Sequence, residues 1–268
     1  MAKELKSIIQ QWPPEIPMNT TTSVSDCSNY ELDSTKNESS CLNWSQISES
    51  SAVQSNFESI SDEGIEANFK DLVPVFNGYQ LIGDSQLVRF SETILGLQRE
   101  FTHSSSGSIG LCVSGQKISE LHRRVWEKIH PVGEQVILLI GTNDLLKGTK
   151  TNVMCVRLKF LIEDILLTAK KIVVLTLPPV PKLSHSEEHW NRLDDYNDYI
   201  KSLPVKYQGK LTVADICPFF YRSQTKFFKL CRLSYFEKWY LGGTRKDLIH
   251  INEEGFKVIR NFLLNEIL

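Results

Sequence analysis

The chain has 268 residues, 41% of them hydrophobic, and a formal net charge of −2. That length supports one sizeable core with an appendage. No stretch approaches the ~20 apolar residues of a membrane span. The opening Met1-Ala2-Lys3-Glu4-Leu5-Lys6 has no apolar core of signal-peptide length. The six cysteines (Cys27, Cys41, Cys112, Cys155, Cys217 and Cys231) fall at no metal-ligand spacing and form no CxxC pair. The expectation is a soluble, reduced, cytoplasmic protein with no structural metal and no glycosylation at the sequons that begin at Asn19, Asn37 and Asn43.

Charge divides the chain. Residues 1–70 hold 11 acidic and 4 basic residues, a balance of −7, and the remainder carries +5. A short helix is expected over residues 4–11, stopped by Pro13-Pro14. Residues 19–61 are dense in Ser, Thr, Asn and acids and poor in aliphatics, too polar to offset the entropy of ordering. Residues 1–70 therefore read as a disordered acidic tail, and residues 71–268 as the folded domain. Trp44 and Ile47 are candidate docking residues for a partner, the alternative being that they are simply solvated.

From residue 71 onward, strand and helix patterns alternate. Strands are predicted over residues 73–82, 108–113, 135–140, 171–176 and 211–215. Helices are predicted over 86–100, 117–129, 152–169, 194–203 and 253–267. In the helix over 152–169, Val153, Val156, Leu158, Phe160, Leu161, Ile165 and Leu166 are expected to form one broad buried face. Val136-Ile137-Leu138-Leu139-Ile140 and Ile172-Val173-Val174-Leu175 are continuously apolar, as in strands of a parallel sheet covered on both faces. The fold class is α/β: a three-layer α/β/α sandwich on a mostly parallel five-stranded sheet. Cys112 and Cys155 fall in apolar runs and read as buried thiols.

The chemistry-bearing residues sit where strands end. Gly83-Asp84-Ser85 follows the first strand, Ser114-Gly115 the second, and Gly141-Thr142-Asn143-Asp144 the third. Asp247-Leu248-Ile249-His250 precedes the last helix. Taken singly, each reads first as an ordinary turn, a helix cap or a half-buried histidine. Open α/β sheets bind their ligands at the C-terminal strand ends, so the first three converge. Together the parts suit acyl transfer. Ser85 is the candidate nucleophile, His250 its base, and Asp247 the group that orients the imidazole. The backbone N–H groups of Ser85 and Gly115 and the amide of Asn143 are candidate oxyanion donors. Gly115 is expected to be glycine because a side chain would crowd the substrate.

These four blocks, in this order and spacing, resemble the SGNH hydrolases, also called GDSL esterases and lipases. The resemblance covers about residues 72–268. It implies a flavodoxin-like fold with no metal and no cofactor, and hydrolysis of small-molecule, lipid or sugar esters. It assigns Ser85, Asp247 and His250 to a catalytic triad, and Ser85, Gly115 and Asn143 to the oxyanion hole. Gln86 departs from the family's name motif, which has Leu there.

Residues 217–246 form a different texture, with seven basic residues, nine aromatics and only Glu237 as an acid. Basic residues attract phosphates and aromatic faces stack on unpaired bases. The alternative is an aromatic cap packed over the active site. The segment resembles the same region of the OSK domain of Oskar, an SGNH-like fold that has lost catalytic residues and is associated with RNA binding. On that resemblance Arg222, Lys226, Lys229, Arg232 and Lys238 are candidate RNA contacts. The loop over residues 178–190, with His185, His189 and Trp190, is expected to shape the substrate pocket. The spacing of His185 and His189 suits a metal, but the neighbouring prolines and the missing third ligand argue against one.

Overall fold

The computed structural model describes residues 73–101, 107–224, 229–240 and 243–268. The expected tail over residues 1–70, Cys27, Cys41 and Lys226 lie outside the described residues. In chain order the elements are β1 (Val75–Phe76), β2 (Tyr79–Gly83), α1 (Ser85–Leu95), β3 (Glu100–Phe101), β4 (Gly107–Ile109) and β5 (Cys112–Val113). Then come α2 (Ile118–Trp126), β6 (Gln135–Leu139), α3 (Thr142–Leu146), α4 (Thr151–Ile165), β7 (Lys171–Leu175) and α5 (Glu187–Lys206). The last are β8 (Leu211–Ala214), β9 (Tyr221–Gln224), β10 (Lys229–Cys231) and α6 (Glu253–Phe262).

The continuously apolar runs do become the centre of the sheet. Every residue of β2 is buried, as are all of β6 except Gln135 and all of β7 except Lys171. Five strands run parallel in the order β5-β2-β6-β7-β8. This is the flavodoxin-type order, in which the chain reverses its direction of travel between β2 and β6. Helices α1 and α6 pack together on one face, while α2, α4 and α5 pack on the other. One hydrophobic core runs through the layers.

Two expected strands turn out to be hairpins. The run over 73–82 is broken at Asn77-Gly78, both with positive φ (48° and 82°), so β1 folds back antiparallel on β2. Asn-Gly is the dipeptide that a tight two-residue hairpin turn prefers. The run over 108–113 turns at Gly110-Leu111, giving β4 antiparallel to β5, with β3 beyond it.

Helix α1 stops at Leu95, four residues after its last buried position, where Gly96 takes up a left-handed C-cap at φ 68°. Helix α5 begins at Glu187, seven residues before the expected start, with Ser186 as its N-cap. The broad face expected on α4 is wrong in part. Met154, Leu158, Leu161, Ile162 and Ile165 are its buried side. Val153, Val156 and Phe160 lie on the outer side, because a helix with aliphatics all round leaves periodicity little to choose between. Cys112 is buried and Cys155 half-buried.

Candidate active site

β2 reaches the sheet edge at Gly83. A Cβ there would run into the Leu139 carbonyl of β6, so only glycine lets the strands approach this closely. Asp84 then caps α1, its Oδ1 accepting the Gln86 N–H at 3.0 Å. Ser85 is the first residue of the helix, with its N–H among those that have no intrahelical acceptor. The next strands on either side, β5 and β6, end beside it. Ser85, Ser114, Gly115, Asn143 and His250 line one pocket of about 450 Å³. A larger groove of about 800 Å³, walled by Trp126, Pro131 and Leu167 among others, shares no residue with it.

The three candidate triad residues meet. His250 Nε2 lies 3.1 Å from Ser85 Oγ, and His250 Nδ1 lies 2.8 Å from Asp247 Oδ2. Burial alone would raise the Asp247 carboxyl. The hydrogen bond and charge of the His250 ring and the backbone N–H groups of His250 and Ile249 outweigh it and hold the carboxyl below its ordinary range. An ionised carboxylate only accepts, so Nδ1 of His250 carries the proton and Nε2 of the neutral ring accepts the Ser85 O–H.

Asp247, Leu248, Ile249 and His250 lie on no regular element, and what fixes them is a set of hydrogen bonds. Asp247 Oδ1 accepts the N–H groups of Ile249 and His250 at 3.0 and 3.1 Å. Leu248 is turned to φ 54°. The Asp247 N–H donates to Lys238, the Leu248 N–H to Glu237, and the Glu237 N–H to His250. Lys182 N–H donates to the Leu248 carbonyl from the far side.

Gln86 adds a contact that the sequence did not announce. It is fully buried, its Nε2 donates to the Ile249 carbonyl at 3.0 Å, and its Oε1 accepts the Ile251 N–H at 3.1 Å. The position where the family motif has Leu thus holds both backbone neighbours of His250. Its only sequence signal was the departure from the motif.

The oxyanion candidates are also held. Asn143 Nδ2 donates to the Gln116 carbonyl at 3.0 Å, which fixes its amide beside Gly115. Gln116 Nε2 in turn donates to the carbonyls of Gly83 and Leu111. Gly115 has a conformational reason to be glycine beside the expected one. A Cβ there would meet nothing within 4 Å, but φ is 81°, in the left-handed region.

The loop over 178–190 does not line the pocket. His189 and Trp190 lie in α5; His189 is fully buried, and burial lowers its pKa to about 4. The pocket's other walls are Arg89, Arg99, Leu146, Tyr240 and Ile249.

The basic-aromatic segment divides. Phe220, Tyr221 and Phe236 are buried in the core, and Tyr240 packs edge-on to His250 at 6.1 Å. Arg222, Arg232, Lys238, Arg245 and Lys246 are exposed. Lys229 is not part of an outward patch, because it pairs with Asp194 and lies over Trp190. Residues 235–240 run antiparallel beside 246–252 and so carry the Asp247–His250 stretch.

The doubly wound sheet with a serine, histidine and aspartate at its C-terminal edge defines the class as an SGNH-like α/β fold. Within it, the model of the OSK domain matches residues 61–263, and the chain belongs to the OSK domain family. The crystal structure of the OSK domain of Drosophila Oskar is similar at 19% identity and a TM-score of 0.62, covering 77% of this chain and 98% of that one. The C-terminal domain of Drosophila Oskar is similar at 19% identity and a TM-score of 0.61, covering 73% and 90%. A GDSL-like lipase from Bacteroides thetaiotaomicron is similar at 16% identity and a TM-score of 0.50, covering 69% and 84%. No curated protein matches the chain by sequence. Among the described residues no helix is long and apolar enough to cross a membrane.

Proposed function

We propose that this chain is a serine ester hydrolase of SGNH type acting through a covalent acyl-enzyme. The observation that carries the reading is the unbroken chain of contacts from Ser85 Oγ through the His250 ring to the buried Asp247 carboxylate. Ser85 Oγ attacks the ester carbonyl as His250 Nε2 takes its proton. The tetrahedral oxyanion is held by the N–H groups of Ser85 and Gly115 and by Asn143 Nδ2. Collapse expels the alcohol, which takes the proton from His250. Water then attacks the acyl-enzyme, giving its proton to the same nitrogen, and the acid leaves as Ser85 is reprotonated. No step calls for a metal or cofactor.

The test is hydrolysis of short-chain p-nitrophenyl esters by the full chain beside its Ser85→Ala variant. The reading expects turnover that falls by roughly a thousandfold or more in the variant, as in other triads. Equal rates in wild type and variant, across acetyl to octanoyl esters, contradict it.

A second reading rests on the exposed basic residues. Arg222 and Arg232 lie on and just after paired strands of one hairpin, and Lys238 precedes Trp239, whose surface is 51% exposed. We propose them as phosphate and base contacts for single-stranded RNA, in line with the OSK resemblance. Binding that weakens steeply with salt, and weakens further in Arg222→Ala/Arg232→Ala, supports this. Binding indifferent to both sinks it.

A further inference from the structure

The pocket around Ser85 has an unbalanced lining. Among the described residues Arg89 and Arg99 are its only permanently charged walls, and no carboxylate lines it. Arg89 follows Ser85 by one helical turn on α1, so the two side chains rise from the same face. Its side chain is only 13% exposed, and its one ion-pair partner among the described residues is Asp247 Oδ2 at 3.5 Å. That distance is long for a hydrogen bond. The Asp247 carboxylate is meanwhile engaged by the His250 ring and by two backbone N–H groups. A largely buried guanidinium thus faces the pocket with donors to spare, and burying a cation without hydrogen-bond acceptors is costly.

Arg99 reaches the same pocket from the chain segment after α1. Glu92 grips it through Nε and Nη2. Its stem lies against Gly107, where a Cβ would come within 2.5 Å of Arg99 Cδ. Among the described residues Glu92 takes up Nε and Nη2 of Arg99 and Asp247 stands against Arg89, so each charge has a carboxylate beside it, and what the two guanidinium groups offer the pocket is hydrogen-bond donors. Leu146, Tyr240 and Ile249 give the remaining wall an apolar character. The volume suits a small ligand.

Resting on the hydrolase reading, we infer that the substrate of the Ser85 site carries an anionic group, a carboxylate or a phosphate, a few bonds from the scissile ester, and that Arg89 and Arg99 read it. Planar guanidinium groups match the paired oxygens of either anion, which an ammonium does not. A short aliphatic spacer would lie against Leu146 and Ile249.

The test compares kcat/KM of the full chain on three ethyl esters followed by ethanol release: ethyl pentanoate, monoethyl glutarate and ethyl 4-phosphonobutyrate. The leaving group is constant and only the far end of the acyl chain changes. The inference expects at least one anionic ester to be preferred over pentanoate by roughly tenfold or more, the scale of a charge-assisted hydrogen bond. The faster of the two anions identifies the source. The preference falls to near unity in Arg89→Gln and by a smaller factor in Arg99→Gln. Each ratio is taken within one protein, so a partly destabilised variant still reports. Pentanoate hydrolysed as well as both anions overturns the inference and leaves the hydrolase standing. A preference that survives both substitutions also overturns it. Hydrolysis of none of the three esters, with none of the p-nitrophenyl esters either, takes down the hydrolase reading and this inference together.

Discussion

The two halves of the candidate site are built by opposite means. Ser85, Gly115 and Asn143 follow the ends of three adjacent parallel strands, and the sheet itself sets their positions. Asp247 and His250 belong to no strand or helix and are placed by side-chain and backbone hydrogen bonds, the Gln86 clamp among them. A sheet edge tolerates the loss of any one side chain around it. A clamped loop does not, so mutational sensitivity should spread far beyond the reacting groups in the second half and stay confined to them in the first.

The largest expected effect tests the loop side. Asp247→Asn keeps the shape but turns an acceptor into an amide that no longer fixes the His250 tautomer. Esterase kcat should fall by about 10³–10⁴-fold with the fold intact by circular dichroism. A loss under tenfold would mean that Asp247 only holds the loop. Next comes the sheet side. Asn143→Ala removes one oxyanion donor and should cost about 10²–10³ in kcat with little change in KM. A change in KM alone would assign Asn143 to ground-state binding.

Gln86→Leu restores the residue of the family motif and sharpens the comparison most. It leaves the Ile249 carbonyl and the Ile251 N–H without their partners, at a cost of about 1–3 kcal/mol for each buried group. Activity should fall by roughly tenfold to a hundredfold, because His250 loses both flanking anchors. The corresponding loss is not expected when the exposed Arg232 becomes Ala. A Gln86→Leu enzyme as active as wild type would show that the other hydrogen bonds suffice.

This asymmetry explains what was legible. Strand-end placement follows from periodicity and punctuation, so Gly83-Asp84-Ser85, Ser114-Gly115 and Asn143 could be aligned along one edge without a structure. Continuous apolar runs such as Val136 to Ile140 identified the buried parallel strands. The role of Gln86 was not legible, since a buried amide binding backbone 163 and 165 residues away leaves no local pattern. The left-handed backbone of Gly115 was not legible because composition does not reveal φ. The outer face of α4 was misread because Val153, Val156 and Phe160 share the inner face's chemistry. The Asn77-Gly78 turn was readable in the sequence and was passed over within a long β-branched run. The aromatics of 217–246 carried two meanings, and among the described ones Phe220, Tyr221 and Phe236 pack in the core, Tyr240 lines the site and Trp239 lies on the surface.

The last effect concerns stability and leaves the reacting groups untouched. Burial raises the Asp84 carboxyl to about 6, well above its ordinary range. The folded state therefore holds a proton that the unfolded chain releases between about pH 4 and pH 6. Stability from this group is full below pH 4 and is lost as pH rises through 6, by about 3 kcal/mol in all. Asp84→Asn keeps a capping oxygen and should flatten that slope in urea unfolding. An unchanged slope would mean that Asp84 is ionised in the folded protein.

The central claim is that Ser85 is an activated nucleophile, and active-site labelling tests it without knowledge of the substrate. The full chain would be treated with an alkyl fluorophosphonate and mapped by mass spectrometry. The account predicts one adduct, on Ser85, that is lost in His250→Ala although the serine remains. A folded protein that takes no label, or takes it elsewhere, would contradict the account.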